Sequence, residues 1–576
     1  MQQPFRKDPL YKKWIASLTI FWIDIRIKYF FFSSAAPEFF KFFKKIKKFH
    51  SVFQSLYSCV FHHLEKISFD FFRCYLPSHL FDRDNIIRDN RNHKIFGRDC
   101  VDIISKFIAS GNTVLWGYVL IITLLGIGIY FTIGSKFVQI RHVNEMFRLL
   151  KVKERPAENT EKKQISSLQA FFVGAGTRIG TGNLAGVAIA LALGGPGAVF
   201  WMWMVAIIGS ASSFVENTLA QIYKTKVNGR FKGGPAYYMK KQLNKKWMSI
   251  LFAVMVILSY GTTFNAVQSN TIAVALENSF GISPIIAGIA LVLLTSLVVF
   301  GGIKRIADIS SLIVPFMALG YILLALFVAA ANITEIPHLF ALIFKSAFGI
   351  DQVVGGGIAA AIMNGVKRGL FSNGAGVGGD PIAAATASVS HPAKQGFIQA
   401  LGVFLDTLLV CSATAFIILT SDAYGSGLTG IELSQAAMAE HFGSWGGAFL
   451  GIAIFLFAFT SIIGCYYYGE ANLPFISKSK TFLNFYRLLA LGMVMFGAVA
   501  NLQIVWNLAD FTMAIMALVN LVAIAILGPI AFKALDNYMK QRKLGKEPVF
   551  YRDDIKGLKG VEAWPLRKKD SVKEVV

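Results

Sequence analysis

From Thr113 onward the chain is a succession of apolar runs, each about as long as a bilayer is thick. A helix crossing the hydrocarbon core needs about 20 predominantly apolar residues. Candidate spans run over 113–135, 168–192, 196–222, 247–274, 283–301, 311–332, 351–370, 396–420, 445–468, 482–502 and 505–531. They predict an all-α polytopic membrane protein of about eleven transmembrane helices. The run 351–370 is short and holds Gly355, Gly356, Gly357 and Gly365.

Composition agrees. Of the 576 residues 55% are hydrophobic and 16% charged, against about 25% charged in a soluble domain. That excludes a disordered, collagen-like or disulfide-scaffold chain and argues against an ordinary cytosolic enzyme. Cys59, Cys74, Cys100, Cys411 and Cys465 show no CxxC or metal-ligand spacing. Cys411 and Cys465 lie in apolar runs and read as packing thiols.

The net charge of +24 is read as basic loops holding helices in place rather than as a nucleic-acid surface. Lys and Arg are retained on the cytoplasmic side. The stretch 141–163 is basic, and 223–247 carries many Lys and Arg with no acid. Lys304 and Arg305, Lys367 and Arg368, Lys478 and Lys480, and the tail from Lys533 alternate in step with these, whereas 421–445 holds Asp422, Glu432 and Glu440 and no Lys or Arg. This places the C-terminus in the cytoplasm and the start of the 113–135 helix outside.

Residues 1–100 fit poorly, with 18 Lys and Arg against 9 Asp and Glu on the side the rule leaves for few cations. Two readings stand. The segment is upstream sequence read in frame, with the start near Val101, or it is an amphipathic extension lying on the membrane. The expected organisation is therefore this extension (1–100), a transmembrane core (101–535) and a basic cytoplasmic tail (536–576).

Two spans hold residues that a lipid-facing helix avoids. In 171–188, Gly174, Gly176, Gly180, Gly182 and Gly186 alternate with Thr177, Arg178, Thr181 and Asn183. Each interior Gly costs a helix about 1 kcal/mol relative to Ala. Packing through small residues accounts for Gly182 and Gly186, four apart, and poorly for Arg178 and Asn183. A break is favoured, because irregular backbone at membrane depth has to line a cavity or be buried in protein. Glycines also interrupt 353–379. With 113–135 set aside as a leading helix, the two breaks fall in the first and sixth of ten spans, the pattern of an inverted five-plus-five repeat. A broken helix offers amides to a carboxylate at one half and carbonyls to a small cation at the other, so one site can hold an amino-acid carboxylate beside Na⁺.

Several charged residues stay open between function and packing. Arg178 and Glu216 are costly intramembrane charges, read either as functional or as part of an internal ion pair. Asp406 is a second cation or proton site or a packing acid, with packing preferred, as for Asp510. His391, beside Pro392, reads as a loop histidine at a helix start.

The stretch Gly176–Lys224 (GTRIGTGNLAGVAIALALGGPGAVFWMWMVAIIGSASSFVENTLAQIYK), with FKGGPAYYM, KRGLFSN, HPAKQGFIQALGVFLDTLLVCSATA and YYYGEANL, resembles the alanine or glycine:cation symporter family, also called sodium:alanine symporters. The resemblance covers about 101–565. It implies a fold similar to the bacterial leucine transporter, with one helix before the repeat. It implies that Thr181 and Gly182 amides bind the substrate carboxylate and that Gln268, Ser461 and Cys465 face substrate. It implies a Na⁺ shell of the Gly176, Ile179 and Phe457 carbonyls with the Thr460 and Ser461 hydroxyls. Two departures stand out. The family usually reads SNEAG where this chain has Ser372-Asn373-Gly374-Ala375-Gly376, leaving Asp380 as the nearest acid. The position of Cys465 is commonly Trp or Asn.

The function this implies is Na⁺-coupled symport of small neutral amino acids, alanine or glycine, by alternating access, in a bacterial inner membrane. Na⁺ is the co-transported ion and no cofactor is expected, nor a nucleic acid or an obligate protein partner. The alternative is H⁺ coupling or another substrate such as serine. A channel calls for pore rings or a filter motif, and an enzyme for a metal cluster or a nucleophile–base pair; the sequence displays neither.

Overall fold

A computed structural model describes residues 106–152, 164–227, 229–349 and 357–567. The 1–100 extension, Cys59, Cys74, Cys100, Gly355 and Gly356 lie outside the described residues. The helices are α1 (Lys106–Gly134), α2 (Val143–Lys151), α3 (Ser167–Arg178), α4 (Gly182–Gly194), α5 (Gly197–Ile222), α6 (Pro235–Lys241), α7 (Lys246–Phe280), α8 (Pro284–Val299) and α9 (Gly302–Ala331). They continue as α10 (Ile336–Ala347), α11 (Gly357–Asn373), α12 (Asp380–Ala384), α13 (Pro392–Leu419), α14 (Gly430–Phe442), α15 (Ser444–Asn472), α16 (Lys480–Val499) and α17 (Leu502–Lys543). Among the described residues, eight helices are long and apolar enough to cross a membrane. The chain is a multi-pass, helical membrane protein.

Local sequence sets the helix starts. Ser166 Oγ accepts the Gln169 N–H at 3.1 Å while Gln169 Oε1 accepts the Ser166 N–H at 3.1 Å, a reciprocal cap that begins α3. Asn501 Oδ1 accepts the Gln503 N–H at 2.9 Å to begin α17. His391 is a buried cap rather than a loop residue: its Nδ1 accepts the Ala393 N–H at 3.2 Å and its Nε2 lies 3.1 Å from Asn537 Oδ1. Burial, helped by the Lys394 ammonium, lowers its pKa to about 3.

Four features depart from the sequence reading. Among the described residues the helical chain includes one antiparallel hairpin, β1 (Thr225–Val227) with β2 (Arg230–Lys232); Gly229 between them has φ 77°, and the Asn-Gly dipeptide in the sequence there is a strong hairpin signal. The acidic stretch 421–445 contains α14, which buries Ile431, Leu433 and Met438. Lys367 and Arg368 are not loop charges: they sit inside α11, with both side chains on Asp510 of α17 at 2.6 and 2.8 Å. Paired charges facing the protein interior are tolerated at membrane depth. Finally, Gly365 does not break a helix. α11 runs unbroken through it; a Cβ there would stand 2.4 Å from the Ala198 carbonyl of α5, so the glycine lets two helices touch.

α5 packs along both α11 and α13, and α7 along α15 and α16. Phe475, just beyond α15, meets Tyr237 of α6 at 5.0 Å between ring centres. The ends of α5, α6, α15 and α17 and the start of α13 thus share one end of the bundle, rich in Lys and Arg and called the basic face below.

Two expectations follow. Gly365→Ala lowers the thermal midpoint of the detergent-solubilised protein, by the about 1–3 kcal/mol of an overpacked contact, whereas Gly320→Ala, with nothing within 4 Å of the added carbon, does not. The folded His391 pKa lies below the unfolded value of about 6.5, so its contribution is complete above pH 6.5 and is lost as pH falls toward 3. The wild-type midpoint should therefore drop more steeply between pH 7 and 4 than that of His391→Asn, read by the same melt.

Candidate functional site

The first interruption lies between α3 and α4. Ile179 is extended (ψ 91°), which turns its carbonyl out of the α3 ladder. The Gly180 N–H donates to Asn183 Oδ1 at 3.1 Å. The N–H and hydroxyl of Thr181 both donate to Gln268 Oε1 of α7, at 3.0 and 2.6 Å. α4 then opens with a wide π-helical turn, Gly182–Gly186, and Ser434 of α14 donates to the Leu184 carbonyl within it. Gly182 lies against α11: a Cβ there would be 3.0 Å from Ser372 Cα and 3.1 Å from the Phe371 ring.

The second interruption follows α11. Gly374, Gly376 and Gly378 have φ of 63°, 82° and 95°, the left-handed region where a side chain is strained. Its backbone is held from outside. The Gly376 N–H donates to Glu216 Oε1 of α5 at 3.0 Å, and Asn520 Nδ2 of α17 donates to Glu216 Oε2 at 2.8 Å and to the Gly376 carbonyl at 2.9 Å. Glu216 therefore supports the break. Arg178 does not pair with it. Arg178 Nη1 stands 2.9 Å from Asp380 of α12, a charge contact without an aligned hydrogen bond, and Nη2 donates to Gln399 Oε1 of α13 at 2.8 Å. Asp380 Oδ2 lies 3.9 Å from where a Gly374 Cβ would be.

Four of the five residues expected around a cation converge. Ser461 Oγ donates to the Gly176 carbonyl at 2.8 Å and reaches the Phe457 carbonyl at 3.2 Å; Thr460 Oγ1 reaches the same two at 3.3 and 2.9 Å. The fifth, Ile179, stands one turn beyond Gly176, at the break itself. A Cβ on Gly180 would approach Ser461 Oγ to 2.3 Å and Gln268 Oε1 to 2.9 Å, so the Thr181 donors and the oxygen cluster are adjacent. Cys465 is fully buried one turn beyond Ser461, and Cys465 and Cys411 are free thiols.

Asp406, which the sequence left open between a cation or proton site and a packing acid, joins the two interruptions. In a π-helical stretch of α13 its carboxylate accepts from Asn183 Nδ2 at 2.8 Å, the Ser372 hydroxyl at 2.5 Å and the Thr407 hydroxyl at 3.1 Å. It is fully buried and its hydrogen-bond donors are neutral. Its buried charge is compensated by these three donors. Away from the basic face, Phe264, Phe371 and Trp506 form a stack with ring centres 4.6 Å apart at each step, and the Arg368 guanidinium lies 4.3 Å over Trp506 while pairing with Asp510. The polar centre thus lies between an aromatic and ionic plug on one side and the Arg178–Asp380 pair on the other. Breaking one partner of such a buried pair costs about 3–5 kcal/mol.

The sequence profile of the sodium:alanine symporter family matches residues 101–552. The probable sodium/glutamine symporter GlnT of Bacillus subtilis is 53% identical over 466 residues, covering 81% of this chain and 97% of the relative. The amino-acid carrier protein AlsT of the same organism is 52% identical, covering 83% of this chain and 99% of the relative. The putative sodium/proton-dependent alanine carrier protein YrbD, also of B. subtilis, is 45% identical, covering 80% and 98%. Transport, not catalysis, is what these proteins share, and this chain belongs to the sodium:alanine symporter family.

Proposed function

We infer that the protein is a Na⁺-coupled symporter of small neutral amino acids, alanine or glycine, in a bacterial inner membrane with its C-terminus in the cytoplasm. Eleven spans, one leading helix followed by an inverted five-plus-five repeat, are the arrangement this reading takes. In it α3 and α4 make the broken first repeat helix, and α11 and α12 the broken sixth. Residues 101–535 are its transmembrane core and 536–576 its cytoplasmic tail, with 1–100 outside the working unit.

One observation carries the reading: the Thr460 and Ser461 hydroxyls meet the Gly176 and Phe457 carbonyls directly beside the Thr181 donors. Oxygens of this kind suit a hard monovalent cation. With Ile179 they form the Na⁺ shell. The Thr181 and Gly182 amides take the substrate carboxylate, which displaces Gln268 Oε1, and Gln268, Ser461 and Cys465 border the substrate. Each ligand raises the other's affinity by the same factor, as linkage requires, and alternating access rocks the broken helices with α5 and α13 around the fixed site.

Two observations favour a second reading of the ligands. Asp406 is a titratable group between the breaks, which suits H⁺ as a coupling ion, and YrbD carries sodium/proton in its name. The small Cys465 leaves the side-chain pocket open to a larger neutral amino acid, and GlnT is named for glutamine.

The deciding measurement is uptake of labelled alanine by the full chain in liposomes under an inward Na⁺ gradient, with K⁺ replacing Na⁺ as control and glycine, serine and glutamine as competitors. Uptake should fall at least about tenfold without Na⁺, and Thr460→Ala should raise the Na⁺ needed for half-maximal uptake about tenfold, a loss of roughly 1.4 kcal/mol. Uptake indifferent to Na⁺ and driven by a pH gradient would overturn the cation assignment. Asp406→Asn separates the coupling ions: with Na⁺ alone, the pH profile of uptake is the same in variant and wild type, whereas with H⁺ coupling the variant loses pH-driven uptake.

A further inference from the structure

A segment with no helix or strand covers the basic face. Beyond α17 the backbone turns at Gly545 (φ 70°), and residues 546–567 run back across the ends of the bundle. Four apolar side chains in it are buried: Phe550, Ile555, Val561 and Trp564 are 0, 4, 8 and 7% exposed. A peptide lacking its own ladder needs other partners for its polar groups, and these come from four separate elements. Val549 exchanges two hydrogen bonds of 2.9 Å with Gln541 in the last turns of α17. The Phe550 N–H donates to the Ser390 carbonyl at 3.0 Å, and the Ser390 hydroxyl to the Pro548 carbonyl at 2.8 Å, just before α13. Trp564 Nε1 donates to the Gln221 carbonyl at the end of α5 at 3.0 Å. The Lys559 N–H donates to Gln242 Oε1, next to α6, at 2.8 Å, and Glu562 meets Lys241 at 3.2 Å.

Phe550 and Trp564 make an edge contact at 5.2 Å, and the buried Lys224 ammonium stands 4.9 Å over the Trp564 ring. The acids Glu547 and Glu562 keep 49 and 58% of their side-chain surface exposed, so their ion pairs are screened, and the aromatic pair is what wedges the segment in place.

The attachment points belong to parts that alternating access separates. α5 and α13 pack on each other and on α11, and so travel with the broken helices. α6 leads into α7, which packs on α15 and α16. A segment fastened to both sides loses contacts whenever the site opens to this face. A state that breaks more contacts is less populated. We propose that residues 546–567 are a clasp that holds the basic-face mouth shut and releases for the central site to open to that side. The clasp rests on the transport reading above for its purpose; its test does not need transport.

Cys465 supplies the readout. It is fully buried, lies one turn beyond Ser461, and sits on the part of α15 that runs toward the basic face. Its alkylation by a small thiol reagent is followed by peptide mass spectrometry on the full chain in Na⁺ without amino acid. Phe550→Ala/Trp564→Ala, and a chain stopped after Lys546, should each be modified about tenfold faster than wild type. An unchanged rate in the stopped chain overturns the clasp. A second arm guards against misfolding. Lys241→Cys/Glu562→Cys and Lys394→Cys/Glu547→Cys, together in one chain, are bridged by a reducible bis-methanethiosulfonate linker. Uptake should stop while bridged and return with reductant, and full uptake while bridged overturns the proposal. A wild-type protein that moves no amino acid would sink the transport reading and leave the Cys465 comparison to decide the clasp.

Discussion

The centre of this bundle is governed by one constraint: backbone groups freed inside a membrane have to find partners within the protein. Two helices are interrupted side by side, and each interruption is satisfied largely by side chains from neighbouring helices, with Asn183 of α4 helping the first. Glu216 and Asn520 hold Gly376, Asn183 and Gln268 take the Gly180 and Thr181 amides, and the Thr460 and Ser461 hydroxyls cover the Gly176 carbonyl. These partners are neutral or singly placed, so an external carboxylate or cation can take their place at modest cost. Gln268 Oε1 presents to Thr181 the kind of acceptor that a carboxylate oxygen presents. A hydroxyl that donates to a carbonyl can rotate to offer a cation its lone pairs.

Charge is distributed so that the centre stays exchangeable. Arg178 with Asp380, and Lys367 with Arg368 and Asp510, place the firm ion pairs on either side of the interruptions. Between them stand hydroxyls, amides and Asp406, a carboxylate held by the neutral donors Asn183, Ser372 and Thr407. Fixed pairs close paths and a lone acid accepts a transient partner. Had a basic residue stood beside Asp406, the pair would be a structural pin, and no cation could compete with a covalently tethered one.

The sequence displayed most of the spans and the first break, because each depends on residues close together in the chain; the hydroxyl pair at Thr460 and Ser461 came only from the family resemblance. It concealed whatever depends on distance. Arg178 finds Asp380 and Gln399 some 200 residues away, and nothing local separates that from a pair with Glu216. A Lys-Arg dipeptide looks the same in a loop as inside α11, where Asp510 neutralises it. Glycine is equally ambiguous: Gly365 serves close packing against Ala198, while Gly374, nine residues later, serves a left-handed turn. Two further signals were legible and passed over, the Asn228-Gly229 dipeptide and the helical spacing of the apolar Ile431, Leu433, Ala437 and Met438 in α14.

The glycine at 374 sets backbone geometry against side-chain charge at one position. The family resemblance calls for a glutamate there. In this chain the position is left-handed, at φ 63°, where a non-glycine residue costs roughly 1–2 kcal/mol. Asp380 stands with its carboxylate 3.9 Å from the Cβ that Gly374 lacks, and it faces Arg178 at 2.9 Å. The nearest carboxylate to that position thus comes from a residue six places further along the chain. The turn keeps the residue its backbone favours, the carboxylate comes from the first turn of α12, and Arg178 still meets a negative charge beneath the break. The negative charge beside Arg178 is thus set by the start of α12 rather than by the turn.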